Sequence, residues 1–313
     1  MQCFQVAPDK MTQRETKEQS CVRREKADVK LPVGRIGHVR ISRLICGGNL
    51  IIGSAHDRDL IYVASLMRHY FTDRKIMETW RLCEQCGINT MIGPVNSPYA
   101  FGEDPTIRVY KRYRDEWAGE IQWIAQTYQK STDLTGSIQK AIDNGAVGAF
   151  IHGDIVDRWV QLNRVDLLAK AIEFIKRNGL IAGCACHALD VPVALEGAGV
   201  GLDFYMKTLH SDNYWSATPR AERPKEGLPP HDNMWCSQPE KTIEFMRNVS
   251  KSWIAFKVLA AGAIGAEEGL TYAFAGGADF VCLGMFDFQI EQDVELTRKA
   301  IAASKNRKRP WIA

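Results

Sequence analysis

Residues 179–207 read Gly179-Leu-Ile-Ala-Gly-Cys-Ala-Cys-His187, then Ala188-Leu-Asp-Val-Pro-Val-Ala-Leu-Glu-Gly-Ala-Gly-Val200, then Gly201-Leu-Asp-Phe-Tyr-Met-Lys207. The first piece is a short apolar run ending in His187. The second predicts a helix from about Val191, with Asp190 as N-cap, Pro192 in its first turn, and Gly197 and Gly199 at its end. The third is another apolar run, ending in Lys207. Strand, helix, strand with both strands buried implies parallel neighbours joined by a crossover. His187 and Lys207 then stand at the carboxyl ends of successive strands, the edge that carries the chemistry in an α/β barrel.

Outward from this unit the alternation repeats. A first strand ends near Gly47-Gly48-Asn49, and further apolar runs at 88–92, 121–127, 146–151, 253–258 and 280–283 read as strands. Helices are predicted at 72–86 (capped by Thr72), 106–117, from Thr132 or Asp133 to Asn144, and at 164–177. Three more are expected: one capped by Ser237 with Glu240 in a capping box, one at 267–275 and one at 291–303. Residues 50–72 read as a long first loop. The expected fold is therefore α/β: a (β/α)8 TIM barrel with an N-terminal hairpin and a long lid loop, about 208–237, after strand six. The lid is rich in Pro and charge and repeats a pattern, His210-Ser-Asp-Asn-Tyr-Trp215 and His231-Asp-Asn-Met-Trp235; long loops of this kind in compact domains are usually functional. Residues 1–30, polar and aperiodic, are expected to be a tail outside the single barrel domain 31–313. The basic segment 305–309 is expected to be a solvated cap.

The 313 residues are 45% hydrophobic and 25% charged, with a net charge of +3. Such a balance makes no case for nucleic acid or an acidic membrane as partner, and a small molecule is expected instead. No apolar run approaches the ~18 residues of a membrane span. Nine scattered cysteines form no small-domain framework. Free thiols and the lack of an export signal give the cytoplasm as the expected compartment. Oligomeric state is not legible.

Gly34-Arg-Ile-Gly-His-Val-Arg-Ile-Ser-Arg-Leu-Ile-Cys-Gly-Gly-Asn49 resembles the opening of the aldo/keto reductases, a hairpin under the barrel followed by strand one. Gly87-Ile-Asn89 is similar to that family's run into strand two. The resemblance implies NADPH-dependent carbonyl reduction by an Asp, a Tyr, a Lys and a His. Only the His is matched, by His152 in Ala-Phe-Ile-His-Gly-Asp154. Ile92 stands where the Asp would be, Tyr99 is out of phase with the Tyr, and strand three ends in Gln126-Thr127 with no Lys. The fold is therefore expected without NADPH chemistry, a divergent reductase being the runner-up. A second similarity concerns Asp203-Phe-Tyr-Met-Lys207-Thr and Phe256-Lys257-Val-Leu-Ala-Ala-Gly262, which look like the paired lysine strands of deoxyribose-phosphate-type aldolases. It implies a Schiff-base lysine whose pKa is depressed by a second cation.

The candidate catalytic groups are thus His152, His187, Lys207 and Lys257. Asn49, Asp154, Trp215, Trp235 and Asp287 are the candidate substrate-binding residues, the aromatics as surfaces for a sugar ring. His187, His210 and Cys236 are a candidate ligand set for a divalent Zn or Mn, since two His and a thiolate with an open position suit a catalytic ion. Gly262-Ala-Ile-Gly265, opening the helix after strand seven, is a candidate phosphate loop. The expected activity is that of a non-redox lyase or isomerase acting next to the carbonyl of a sugar or oxo-sugar. A metal ion or a lysine imine would hold the developing charge. A non-catalytic small-molecule-binding barrel is the remaining alternative.

Overall fold

The computed structural model describes residues 31–54, 56, 60–223 and 232–313. Val33–Ile36 (β1) and Val39–Ser42 (β2) pair antiparallel. Gly37 turns this hairpin at φ +55°, which a side chain would disfavour. Eight strands then close into one parallel barrel. They are Leu44–Gly47 (β3), Thr90–Pro94 (β4), Gln122–Thr127 (β5), Gly148–Ile151 (β6), Ile181–Cys186 (β7), Phe204–Thr208 (β8), Ser252–Phe256 (β9) and Phe280–Leu283 (β10), with β10 beside β3. The expected barrel and hairpin are both present.

Strand alternation divides the core. Ile45, Ile92, Ile124, Phe150, Phe204 and Met206 are buried in the same apolar cluster as the hairpin's Ile36, Val39 and Ile41. The hairpin therefore plugs the amino-terminal end of the barrel. The intervening residues, among them Met91, Trp123, Tyr205 and Trp253, pack in the larger cluster with the helices.

The helices are Val63–Tyr70 (α1), Asp73–Gln85 (α2), Thr106–Trp117 (α3), Gly136–Asp143 (α4), Gly153–Gln161 (α5), Val165–Arg177 (α6), Asp190–Gly197 (α7), Pro239–Met246 (α8), Ala266–Ala275 (α9) and Ile290–Ala303 (α10). Two differ from expectation in kind. The segment read as a long first loop contains α1, and α5 begins directly after β6. Thr72 caps α2 as expected, its Oγ1 accepting from Lys75 N at 3.2 Å. Asp133 Oδ1 accepts from Gly136 N at 2.8 Å and so holds the start of α4. Asp190 is instead the first residue of α7, whose N-cap is Leu189. Ser237 does not cap α8, which opens on Pro239 after Gln238. Proline suits this first turn because its fixed φ is already helical.

The carboxyl-terminal segment is not the solvated cap its basic residues suggest. Arg309 is buried, and its Nη1 lies 2.7 Å from Oδ2 of the fully buried Asp279. Arg307 Nη2 reaches Asp279 Oδ1 at 3.1 Å. Trp253 N and Ile312 N donate to the same carboxylate, each at 3.0 Å. One carboxylate just before β10 thus ties the chain end to the barrel floor. Among the described residues, no helix is long and apolar enough to cross a membrane. The expected tail 1–30 and His231 of the expected lid lie outside the described residues.

Candidate active site

At the carboxyl end of the strands is a cavity of about 660 Å³. It gathers six of the residues singled out in the sequence: Asn49, His152, Asp154, His187, Trp235 and Lys257. Alternation explains the histidines. Phe150 points into the barrel, so His152, two residues on, does too; Ala185 and His187 are related in the same way.

Lys207 is on the other face. It is in phase with Tyr205, which packs toward the helices, while Met206 faces the cavity. Its amine is buried and donates to His187 O at 2.8 Å, Thr208 O at 3.1 Å and Thr208 Oγ1 at 2.8 Å. These three bonds use all three donors of an ammonium. Lys207 is therefore a brace for the end of β7, not a group facing substrate, and the paired-lysine expectation fails on this geometry.

Lys257 follows β9, and simple alternation after Phe256 would send it outward as well. Its backbone instead adopts φ +57°. That left-handed turn is costly for a side-chain-bearing residue, and such outliers concentrate at functional sites. It brings Lys257 into the cavity alongside Phe256. The amine lies 3.8 Å from the centre of the Trp235 ring and 2.7 Å from His56 Nε2. Burial pulls its pKa down to about 7, against the weaker upward pull of the Asp232 and Asp154 carboxylates.

His56 was not foreseen; it comes from the stretch read as a loop. Its Nε2 also receives Asn49 Nδ2 at 2.9 Å. With two donors on Nε2, the ring proton belongs on Nδ1, which faces Asp232 Oδ1 at 3.9 Å. Burial first, then the Lys257 charge, holds His56 well below the usual imidazole range, so the ring is neutral.

Asp157 was also missed. It is one turn beyond Asp154 on α5, a helix the sequence reading lacked. Its Oδ2 lies 2.7 Å from His187 Nδ1, and both its oxygens accept from His187 N at 3.2 Å. Committing Nδ1 to a carboxylate leaves Nε2 as the basic nitrogen of His187. Gly153 is required beside this pair, since a Cβ there would lie 2.6 Å from His187 Cε1. His152 caps α5, its Nδ1 accepting from Asp154 N at 3.3 Å. Its ring packs with Tyr99 and Tyr128 in a three-ring cluster, 5.0 Å from each. Burial lowers its pKa to about 4.

Four further expectations are corrected. His210 is buried with both nitrogens engaged: Nδ1 with Ser211 O at 2.8 Å, and Nε2 accepting from Trp235 N at 3.0 Å and Cys236 N at 2.9 Å. It orders the lid and has no lone pair left for an ion. Cys236 is buried with Thr242 as its neighbour and does not line the cavity. The residues present therefore do not fit the His187–His210–Cys236 metal site, and among the described residues no cluster of three His, Cys, Asp or Glu side chains is placed to hold an ion. Trp215 is 89% exposed and away from the cavity. Asp287 pairs with Lys75 at 3.0 Å and accepts from Tyr70, outside the cavity wall.

Fold and site together define a (β/α)8 barrel with a lysine and histidines at its rim. No protein-family profile matches the chain, and no curated protein aligns with it. Among solved structures it is similar to a proposed aldo-keto reductase from Pseudomonas aeruginosa, at 15% identity over 90% of this chain and 99% of that one, with a TM-score of 0.59. A second structure of a proposed aldo-keto reductase from Pseudomonas aeruginosa gives 15% identity over the same shares and a TM-score of 0.57. It is also similar to phospho-2-dehydro-3-deoxyheptonate aldolase from Thermotoga maritima, at 12% identity over 88% of this chain and 74% of that one, with a TM-score of 0.52. At these identities the likeness is one of fold.

Proposed function

We propose that the protein is an enzyme of the lyase or isomerase kind, acting next to the carbonyl of a hydroxylated, sugar-like substrate, with Lys257 capturing that carbonyl. One observation carries this reading. The half-buried Lys257 amine faces the cavity, hydrogen-bonded to a neutral imidazole, and desolvation brings its pKa down to about 7. A neutral amine is a nucleophile where an ammonium is not. Its lone pair forms the C–N bond, and the carbonyl oxygen takes up one of the amine's own protons and a second from solvent. Loss of that oxygen as water leaves a protonated imine. The positive nitrogen then draws electrons from the neighbouring carbon, so either a C–H bond there loses its proton or a C–C bond breaks, the far fragment leaving as a carbonyl compound as its hydroxyl loses its proton, and an enamine forms. His187 Nε2, with Nδ1 held by Asp157, accepts the proton and returns it. Hydrolysis of the imine releases product and restores the amine.

The test is reductive trapping. Borohydride with hydroxyacetone or dihydroxyacetone should leave a mass adduct on the peptide containing Lys257, and Lys257→Met should abolish it. An adduct elsewhere, or none with any hydroxyketone, would sink the proposal.

Carbonyl reduction with NADPH is a second reading, favoured by the stacking of Tyr99 on His152, two residue types of the reductase set. The residues fit that cofactor poorly. Burial raises the Tyr99 hydroxyl to about 12, the wrong direction for a proton donor. Among the described residues lining the cavity, Lys257 is also the only lysine or arginine to meet the cofactor phosphates. NADPH saturation in the micromolar range would favour this second reading.

A further inference from the structure

The cavity is divided by chemistry around the barrel. Its β4–β7 side presents Ser97, Tyr99, Gln126, Tyr128 and Asp154. These groups are preset by their own bonds, Gln126 Nε2 donating to Tyr128 Oη and Tyr128 Oη donating to Ser97 Oγ at 3.0 Å. The β9, β10 and β3 side presents Leu50, Ile52, Val63, Met67, Leu259 and Phe286. Phe286 is backed by Phe71 and Phe288, each ring stacked on it at 5.3 Å. Lys257, Asn49 and His56 stand at the junction of the two sides.

Among the described residues, the charge of the wall does little to favour an anion. Asp154 and Asp232 line it, against Lys257 as the one cationic side chain among the described residues. In the loop after β9, the expected phosphate loop, four N–H groups are spent within the loop itself. Ala260 N donates to Lys257 O, Gly262 N and Ile264 N to Leu259 O, and Ala263 N to Ala260 O, all within 3.2 Å. Helix α9 behind it carries Glu267 and Glu268 in its first turn, which opposes an anion there. Finally, 660 Å³ is far more than a three-carbon hydroxyketone fills and is the size of a pocket for a larger ligand.

Resting on the reading of this cavity as a carbonyl-capturing site, we propose that its substrate is an uncharged hydroxylated carbonyl compound joined to an apolar, ring-sized group, such as an aryl-substituted sugar, and not a sugar phosphate. The hydroxyls face β4–β7, the apolar group rests against Val63, Met67 and Phe286, and the carbonyl meets Lys257 between them.

Three matched probes test this: hydroxyacetone, 2-hydroxyacetophenone and dihydroxyacetone phosphate. Each is titrated calorimetrically into the full-length Lys257→Met protein, which binds without imine formation, and each is used in borohydride trapping of the unaltered protein. The phenyl ketone should bind at least about tenfold more tightly than hydroxyacetone, the gain expected from burying a ring. The phosphate should bind no better than hydroxyacetone. Adding Val63→Thr or Phe286→Leu should cut the phenyl advantage and leave hydroxyacetone unchanged. Tightest binding by the phosphate, no phenyl preference, or no binding of any probe at about 10 mM overturns the inference. A phenyl preference in titration with no trapping of any probe supports the ligand class and removes the imine mechanism, so the two failures are distinguishable.

Discussion

Burial and two carboxylates act in opposite directions on Lys257, and burial prevails, leaving the amine to ionise at about 7. The reacting form is the neutral one, so kcat/KM should rise with pH through an ascending limb centred near 7. Asp154→Asn removes one of the groups that raises this pKa and should move the limb to lower pH. A flat profile between pH 6 and 8 would count against an amine nucleophile. His187 acts through a tautomer fixed by Asp157, at 2.7 Å. Asp157→Asn can donate to Nδ1 and strand the proton on Nε2. The expected loss in kcat is about 10²–10⁴, as for other oriented imidazoles, with the far-UV circular dichroism unchanged. Of these residues His187 and Lys257 were legible, each as a reactive group ending an apolar run. Asp157 and His56 were not, because they reach the site across 30 and 201 positions of sequence, and no local pattern records such a meeting. Lys207 was misread because alternation in the sequence does not say which face of β8 it takes. It is in register with Tyr205, and period two sends both away from the cavity.

The elements that shape the site are α5, the turn after β9 and the lid. A glycine directly after His152 lets α5 start against the His187 ring, and the amphipathic run behind it places Asp154 and Asp157 one turn apart. The lid is fastened through His210, whose Nε2 accepts two backbone N–H groups and thereby holds Trp235 against Lys257 and His187. Burial lowers the His210 pKa to about 4, against 6.5 for the exposed side chain. The unfolded chain therefore takes up a proton first. Stability is full above about pH 6.5 and falls as pH drops toward 4, by about 3 kcal/mol from this group. Protonation would also set a new N–H against the two donors it now accepts from. Denaturant midpoints measured from pH 7 to 4 should fall in the native protein, and the fall should be shallower in His210→Gln. Equal slopes for the two proteins would remove His210 as the cause.

For the whole molecule, the barrel is closed below by the hairpin and by the carboxyl-terminal segment. Asp279 binds Arg307 and Arg309 in a buried pair whose oxygens are all satisfied. Removing one partner of such a pair leaves buried charge uncompensated and costs about 3–5 kcal/mol. Asp279→Ala should lower the stability measured by denaturant unfolding by that amount, whereas Lys305→Ala, an exposed neighbour, should not change it. The sequence by itself determined the barrel, because burying a parallel strand needs only a short apolar run and a helix to cover it, and both are local patterns. It also determined the opening hairpin and the histidines at the ends of β6 and β7, which obey the same period. Only the tertiary structure decided which amine faces the cavity. That choice depends on a single left-handed residue at Lys257 and on the phase of β8. The tertiary structure likewise showed that His210 and Cys236 serve the lid, and that the basic tail is a buried tie. In each case the partner is remote in the chain, and the environment it creates, not the residue type, sets the role.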